Sequence, residues 1–173
     1  MSNQFFNYLL RLNEYDCKIR LSDSLAVNLD EFQERWNNYA EEFNFPYRNL
    51  EISVDKNVLN IKIHGNKNIA LLGNIIEYND EKILKSITMI ASGDGRLQSG
   101  LNMIIAIGIL IACLNPQEDV DFRKRLFEKL GLSDIKIGTK NTIIVNNLKY
   151  TVNFSKELGL WFSVKSEIKR REE

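Results

Sequence analysis

LNMIIAIGILIACLNP, from Leu101 to Pro116, is the least polar stretch of the chain, and its reading decides the fold. Every residue from Met103 to Leu114 is apolar or small, with Asn102 and Asn115 as bounds. A bilayer-spanning helix needs about 20 such residues, whereas a run of about 10 to 14 reads as a buried core helix. Extension toward the N-terminus meets Gln98 and Arg96; extension the other way meets Pro116, Glu118 and Asp119. The stretch is expected to be the central helix of a globular protein, apolar on every side and not a membrane span. Gly108 and Ala112 leave room on it for a close neighbour.

The composition around that helix is ordinary. The chain has 173 residues, 44% hydrophobic and 27% charged, which suits a single domain over 1–173 with sub-lobes at 1–91 and 92–173. Lys+Arg and Asp+Glu balance at 23 each, so no net field draws nucleic acid or an anionic membrane, and neither is expected as a partner. The one short basic run, Lys169–Arg171, is offset by Glu167, Glu172 and Glu173. The opening MSNQFFNYLL lacks the basic flank and cleavage site of a signal peptide. Cys17 and Cys113 by themselves make neither a disulfide framework nor a zinc site. A cytoplasmic chain without cofactor or metal is the expectation.

Periodicity supplies the other elements. Ser2 suits the cap of a short helix carrying Phe5, Phe6, Leu9, Leu10 and Leu12, and Tyr15, Cys17, Ile19 and Leu21 alternate as a half-buried strand. Asn28, with Glu31 three residues on, caps a helix through about Phe43 whose buried stripe is Leu29, Phe32, Trp36, Ala40 and Phe43. LEISV and LNIKI form one hairpin around Asp55-Lys56-Asn57. IALLGNIIEY and ILKSITMIA form a second around Asn79–Lys82, with Gly73 marking a bulge. The second pair is apolar on both faces, which places it centrally. After the core helix, Asn115 reads as an N-cap with Pro116 first in the next helix and Glu118 completing a capping box; Phe122, Leu126, Phe127 and Leu130 face inward and Gly131 ends it. TIIV then turns at Asn146-Asn147 into the alternating Leu148, Tyr150, Val152 and Phe154. A further strand carries Leu158, Leu160, Phe162 and Val164 inward before a charged end. Strands and helices are segregated, so the fold class is α+β. Antiparallel β-hairpins form one or two sheets packed on a central buried helix and flanking amphipathic helices.

The residues that carry chemistry are few. His64 follows a strand on its polar side and reads as solvent-facing, with no nucleophile or orienting acid placed beside it. Cys113 lies in the apolar helix and Cys17 on the inner side of its strand, so both read as small hydrophobes. No catalytic residue is assigned. The loop SGDGRLQSG, Ser92–Gly100, is one candidate: its glycines, Asp94 and Arg96 open a helix and could present N–H groups and a guanidinium to an anion. It lacks the spacing of a P-loop or dinucleotide fingerprint, so the preferred reading is a strand-to-helix turn in which Gly93 and Gly95 take unusual φ and Asp94 helps cap the helix. The other candidate is the acidic helix, where Asp30, Glu31, Glu34, Glu41 and Glu42 face only Arg35. Either it is a solvated face or it docks a basic partner, with Tyr39 or Trp36 near it.

GLNMIIAIGILIACLNP, FRKRLFEKLGL and NNLKYTVNFSKELGLWFSVK together resemble the C-terminal layout of small bacterial immunity proteins of contact-dependent growth-inhibition and similar polymorphic toxin systems. The resemblance covers roughly the last 75 residues of the chain. It implies a cytoplasmic, non-enzymatic protein that binds one protein partner, a basic toxin domain, and blocks its active site. That would give the acids from Asp30 to Glu42 a purpose. Two alternatives stand beside it: a secretion-chaperone-like binder of an effector, and a small ligand-binding protein or enzyme using Asp94, Arg96 and His64.

Overall fold

The computed structural model describes residues 23–167. The helix expected from Ser2, the strand carrying Cys17 and the charged end beyond Glu167 lie outside the described residues. Among the described residues there are three helices, α1 (Leu29–Glu42), α2 (Leu97–Leu114) and α3 (Val120–Lys129). The strands are β1 (Leu50–Asp55), β2 (Val58–Ile63), β3 (Ile69–Tyr78), β4 (Glu81–Ala91), β5 (Lys140–Val145), β6 (Leu148–Ser155) and β7 (Gly159–Ser166). All seven form one antiparallel sheet in the order β1-β2-β3-β4-β7-β6-β5. The two β sections therefore share a sheet, joined where β4 pairs β7 over Ser86–Ala91.

Turn chemistry sets the hairpins. Asn79 and Asp80 have φ 49° and 64°, and Asn146 and Asn147 have φ 51° and 60°. Consecutive positive φ defines the two-residue turn whose twist matches paired strands. Gly73 sits beside the bulge, which falls on the opposite strand: Asn74 pairs Ser86 and Ile75 pairs Leu84, leaving Lys85 extra on β4. A Cβ at Gly73 would strike the Ser86 carbonyl oxygen. The bulge divides β4 between two neighbours, because Leu25 and Val27 bond Leu84 on its near side while β7 takes its far side.

The alternation sorts each strand's faces. Across the helix side one row runs Leu59, Gly73, Ile87, Val164, Tyr150, Ile143. Across the other face a row of mostly small polar residues runs Ser53, Asn60, Leu72, Thr88, Ser163, Thr151, Thr142. Leu158 departs from its expected inward place: it precedes β7 in the turn and is exposed.

The helices pack on the first face as one core. In α1 the Asn28 side chain accepts from Glu31 N at 2.8 Å, and Leu29, Phe32, Trp36 and Ala40 are buried, as the periodicity requires. Asn44 (φ 53°) closes its C-terminus, with Asn44 N bonding Glu41 O and Phe45 N bonding Ala40 O. The end of α3 repeats this through Gly131 (φ 71°), with Gly131 N on Glu128 O and Leu132 N on Phe127 O.

α2 is the central helix. It is long and apolar enough to cross a membrane, yet Ala106, Ile107 and Ile109 through Cys113 are fully enclosed by the fold. Its ends differ from the sequence-based expectation. Asn115 does not cap α3; Asp119 does, accepting from Phe122 N at 2.7 Å. Asn115 is buried at the α2 C-terminus, where its Nδ2 donates to Ile111 O at 2.8 Å and to the Tyr150 hydroxyl of β6 at 2.8 Å. The buried carbonyl and phenol hold the amide more strongly than an exposed first turn of α3 does, because unsatisfied buried polar groups are the costlier outcome.

Candidate functional site

The acidic helix is less bare than its sequence. Glu31 is paired with Arg35 on the next turn, Glu41 lies 3.6 Å from Arg48, and Glu42 lies 3.9 Å from Arg123 of α3. Asp30 and Glu34 have no ion-pair partner among the described residues and are exposed. Helical spacing puts Asp30, Glu34 and Glu41 in one outward row, and Glu31 and Glu42 nearer α2 and α3. Arg35 turns inward, its Nη1 donating to Cys113 O at 2.7 Å. It thereby satisfies a carbonyl at the α2 C-terminus and places positive charge at the helix's negative end.

The aromatic neighbours divide as well. Trp36 is fully buried, its ring edge-on to Phe45 at 6.1 Å, and its Nε1 has no hydrogen-bond acceptor among the described residues. It belongs to the core. Tyr39 is half-buried and stacks on Phe43 at 6.4 Å, and the Arg123 guanidinium lies 5.5 Å from the Tyr39 ring and 6.0 Å from Phe43.

Phe43 is the near wall of a groove that sequence reasoning missed. The groove is a cavity of about 330 Å³ between α2 and α3, lined by Phe43, Ile104, Ile105, Gly108, Val120 and Phe127 with Arg123 and Lys124 at its edge. Leu97 and Leu101 continue it along α2, at 82% and 47% exposure, and Val120 is 68% exposed. Positions 97, 101, 104 and 108 share one helix face. The signal was present in the all-round apolarity of α2: α3 has ten residues against the eighteen of α2 and cannot cover its whole outward side.

The Ser92–Gly95 loop lies in a second, polar cleft. A cavity of about 350 Å³ brings Asp94, Arg96, Gln98, Ser99 and Asn102 against Tyr47 and the β2–β3 loop residues Gly65–Asn68. Ser92 N bonds Asn68 O at 2.9 Å and ties the two loops. The expected turn roles are only partly realised. Gly95 has φ 82°, but Gly93 is not in the positive-φ region. Asp94 does not cap α2: its Oδ1 accepts from Arg96 N at 3.0 Å, one step before the helix, and Arg96 occupies the N-cap position without a side-chain bond.

The remaining reactive groups do not assemble. His64 is exposed, 3.8 Å from Glu51, and does not line the cleft that holds Asp94 and Arg96. Burial pushes the Cys113 thiol up, against a smaller downward pull from Arg35. Burial likewise raises Tyr150 to about 12, with the Asn115 bond opposing. Among the described residues no three His, Cys, Asp or Glu side chains stand together as metal ligands. No family model, curated protein or solved structure matches the chain.

Proposed function

We propose that the chain is a cytoplasmic, non-enzymatic protein-binding module of the immunity type, seating a basic toxin domain on its helical face and blocking that domain's activity. The uncovered apolar stripe of α2 carries this reading: Leu97, Leu101, Ile104 and Gly108, opening into the groove beside Val120 and Phe127. Apolar surface left in water costs about 25 cal/mol per Å², and a contiguous patch of it marks an association surface. Charged groups border it, with Arg123 and Lys124 on α3 and Glu42 at the end of α1, whereas Asp30 at the start of α1 lines a separate hollow with Asp80 and Lys82. An apolar centre within a polar rim is the anatomy of a protein interface. Asp30 and Glu34, without an ion-pair partner among the described residues, favour a basic partner through steering and register. The resemblance of roughly the last 75 residues to immunity proteins supports the same reading.

Affinity capture of the tagged chain from its source cell, followed by an activity assay on the captured partner, tests it. The expected result is one stoichiometric basic domain whose activity the chain blocks. Leu101→Glu, or Asp30→Lys with Glu34→Lys, is expected to weaken binding by about tenfold or more, on the order of 1.4 kcal/mol. Capture of no protein, or a partner bound equally well by both variants, overturns the proposal.

A further inference from the structure

Among the described residues the sheet ends in two edges, β1 and β5, and they differ. β1 carries Glu51 and Asp55, and charge of one sign along an edge resists a second copy of itself. β5, KNTIIV, has one charge, at its first residue, no proline, and an unbroken register against β6. Its only blunting device is therefore Lys140. Thr142, Ile143, Ile144 and Val145 are consecutive β-branched residues, which keep the strand extended without a second neighbour.

The ladder fixes which groups of β5 look outward. Antiparallel strands alternate bonded and non-bonded pairs. The two-residue turn at Asn146-Asn147 makes Val145 and Leu148 a bonded pair, and Phe154 N on Thr139 O at 2.9 Å keeps the same phase at the other end. Lys140, Thr142 and Ile144 thus turn their N–H and C=O groups away from β6. The open edge presents three donors and three acceptors in a row, which another strand would satisfy.

That row is complementary to itself. When two copies run antiparallel about a two-fold axis at Thr142, Thr142 meets Thr142 of the second copy and Lys140 meets Ile144 of the second copy. Every outward N–H and C=O then finds a partner, as an isologous interface requires. The side chains agree with this register. The Thr142 and Thr151 hydroxyls lie 3.2 Å apart, so the pairing extends one row of threonines across the axis, and cross-strand threonine pairs are favourable. Ile144, at 53% exposure, is covered by the apolar stem of Lys140, and no like charges stand opposite one another.

We infer that the chain forms a two-fold dimer by antiparallel pairing of β5 with β5 of a second copy, centred on Thr142. The inference stands apart from the proposed function, since β5 contributes no residue to the α2–α3 groove. A single strand pair is at the small end of specific interfaces, so the dimer is weak, with a Kd on the order of 10 µM or above.

Sedimentation equilibrium of the full chain, from about 1 µM to about 1 mM, tests it. The mass is expected to rise from 20.1 kDa toward twice that value. Thr142→Lys and Thr142→Glu each set like charges against one another on the axis, and each alone should weaken dimerisation by about tenfold or more. Their equimolar mixture should restore it, because opposite charges then meet. Thr142 is exposed, so both variants should keep the wild-type melting temperature in dilute solution. Amide exchange of the wild type is the second readout: it should slow with concentration at Lys140, Thr142 and Ile144, while Asn141, Ile143 and Val145 are protected throughout. A monomer at every concentration, a dimer that both variants leave intact, or a mixture that fails to restore it overturns the inference. Exchange at Lys140, Thr142 and Ile144 that ignores concentration overturns it as well, and needs no variant to fold.

Discussion

Tyr150→Phe isolates one buried polar contact and carries a pH signature that packing alone would not produce. The Tyr150 ring is fully buried on β6, and its hydroxyl meets Asn115 Nδ2 at 2.8 Å. Near neutral pH the variant loses that bond and is expected to be less stable by about 1–2 kcal/mol. Burial raises the phenol from 10.0 to about 12, so the folded state resists ionisation while the unfolded state ionises at its ordinary value. A raised folded value means the contribution is complete below pH 10 and drains away as pH rises toward about 12. At about 1.36 kcal/mol per pH unit, the whole gap corresponds to about 2.7 kcal/mol. The wild type alone bears that loss, so the order of stabilities should invert near the top of the range. Urea unfolding of both proteins between pH 8 and pH 11.5, followed by tryptophan fluorescence, reads this directly. The other tyrosines and the lysines titrate in both proteins and cancel in the difference. A stability difference that stays constant across that range would refute the account of Tyr150.

Asn115→Ala orphans both the Ile111 carbonyl and the Tyr150 hydroxyl, and should cost about 2–4 kcal/mol in urea unfolding. Asp119→Ala removes only an exposed N-cap and should cost about 1 kcal/mol; the reverse ranking would restore Asn115 as the cap of α3. Gly73→Ala drives a Cβ into the Ser86 carbonyl and should lower the melting temperature, whereas Gly100→Ala, with open space at its Cβ and an ordinary helical φ, should not. Glu34→Lys should leave stability within about 0.5 kcal/mol, since Glu34 has no ion-pair partner among the described residues, whereas Asp30→Lys reverses charge in the first turn of α1 and should cost about 1 kcal/mol. In a Cys17→Ser background, Cys113 should resist a thiol reagent at pH 8 until denaturant is added, because burial both shields the thiol and pushes its ionisation up.

What was legible in the sequence depended on the range of the contact that decides each element. Asn28 with Glu31, Asn79-Asp80, Asn146-Asn147 and Gly131 act within a few residues of themselves, and all four appear where pattern and turn chemistry put them. The apolar character of both faces of β3 and β4 was enough to place them centrally, β4 as the middle strand and β3 next to it. Asn115 was misread because its partner, Tyr150, stands 35 residues away, while Pro116 and Glu118 imitate a local cap. The acidic helix looked unpaired because Arg48 and Arg123 reach it only through the fold. Likewise Asp94 and Arg96 gave no hint of Asn66, Lys67 and Asn68, which the β2–β3 loop brings opposite them.

The central helix itself is divided between holding and presenting. Its C-terminal residues Ile109–Leu114 are enclosed, and Arg35 and Asn115 satisfy the carbonyls of Cys113 and Ile111, so that end is held by the α1 and β6 layers at once. The N-terminal half is held less: Asn68 Nδ2 reaches Ser99 Oγ at 3.4 Å, but Arg96 leaves the first amides uncapped, and Leu97 and Leu101 stand in solvent. Reading LNMIIAIGILIACLNP as a pillar with function only on the polar faces around it accounts for the first half of that contrast and not for the second. A helix needing only to fill a core would gain from a capping side chain at position 96 and polar residues at 97 and 101, at no packing cost. The groove and the cleft lie on the half where those substitutions are missing. Function is therefore to be sought on the exposed start of this helix, with Glu42, Arg123 and Lys124 at the rim of its groove.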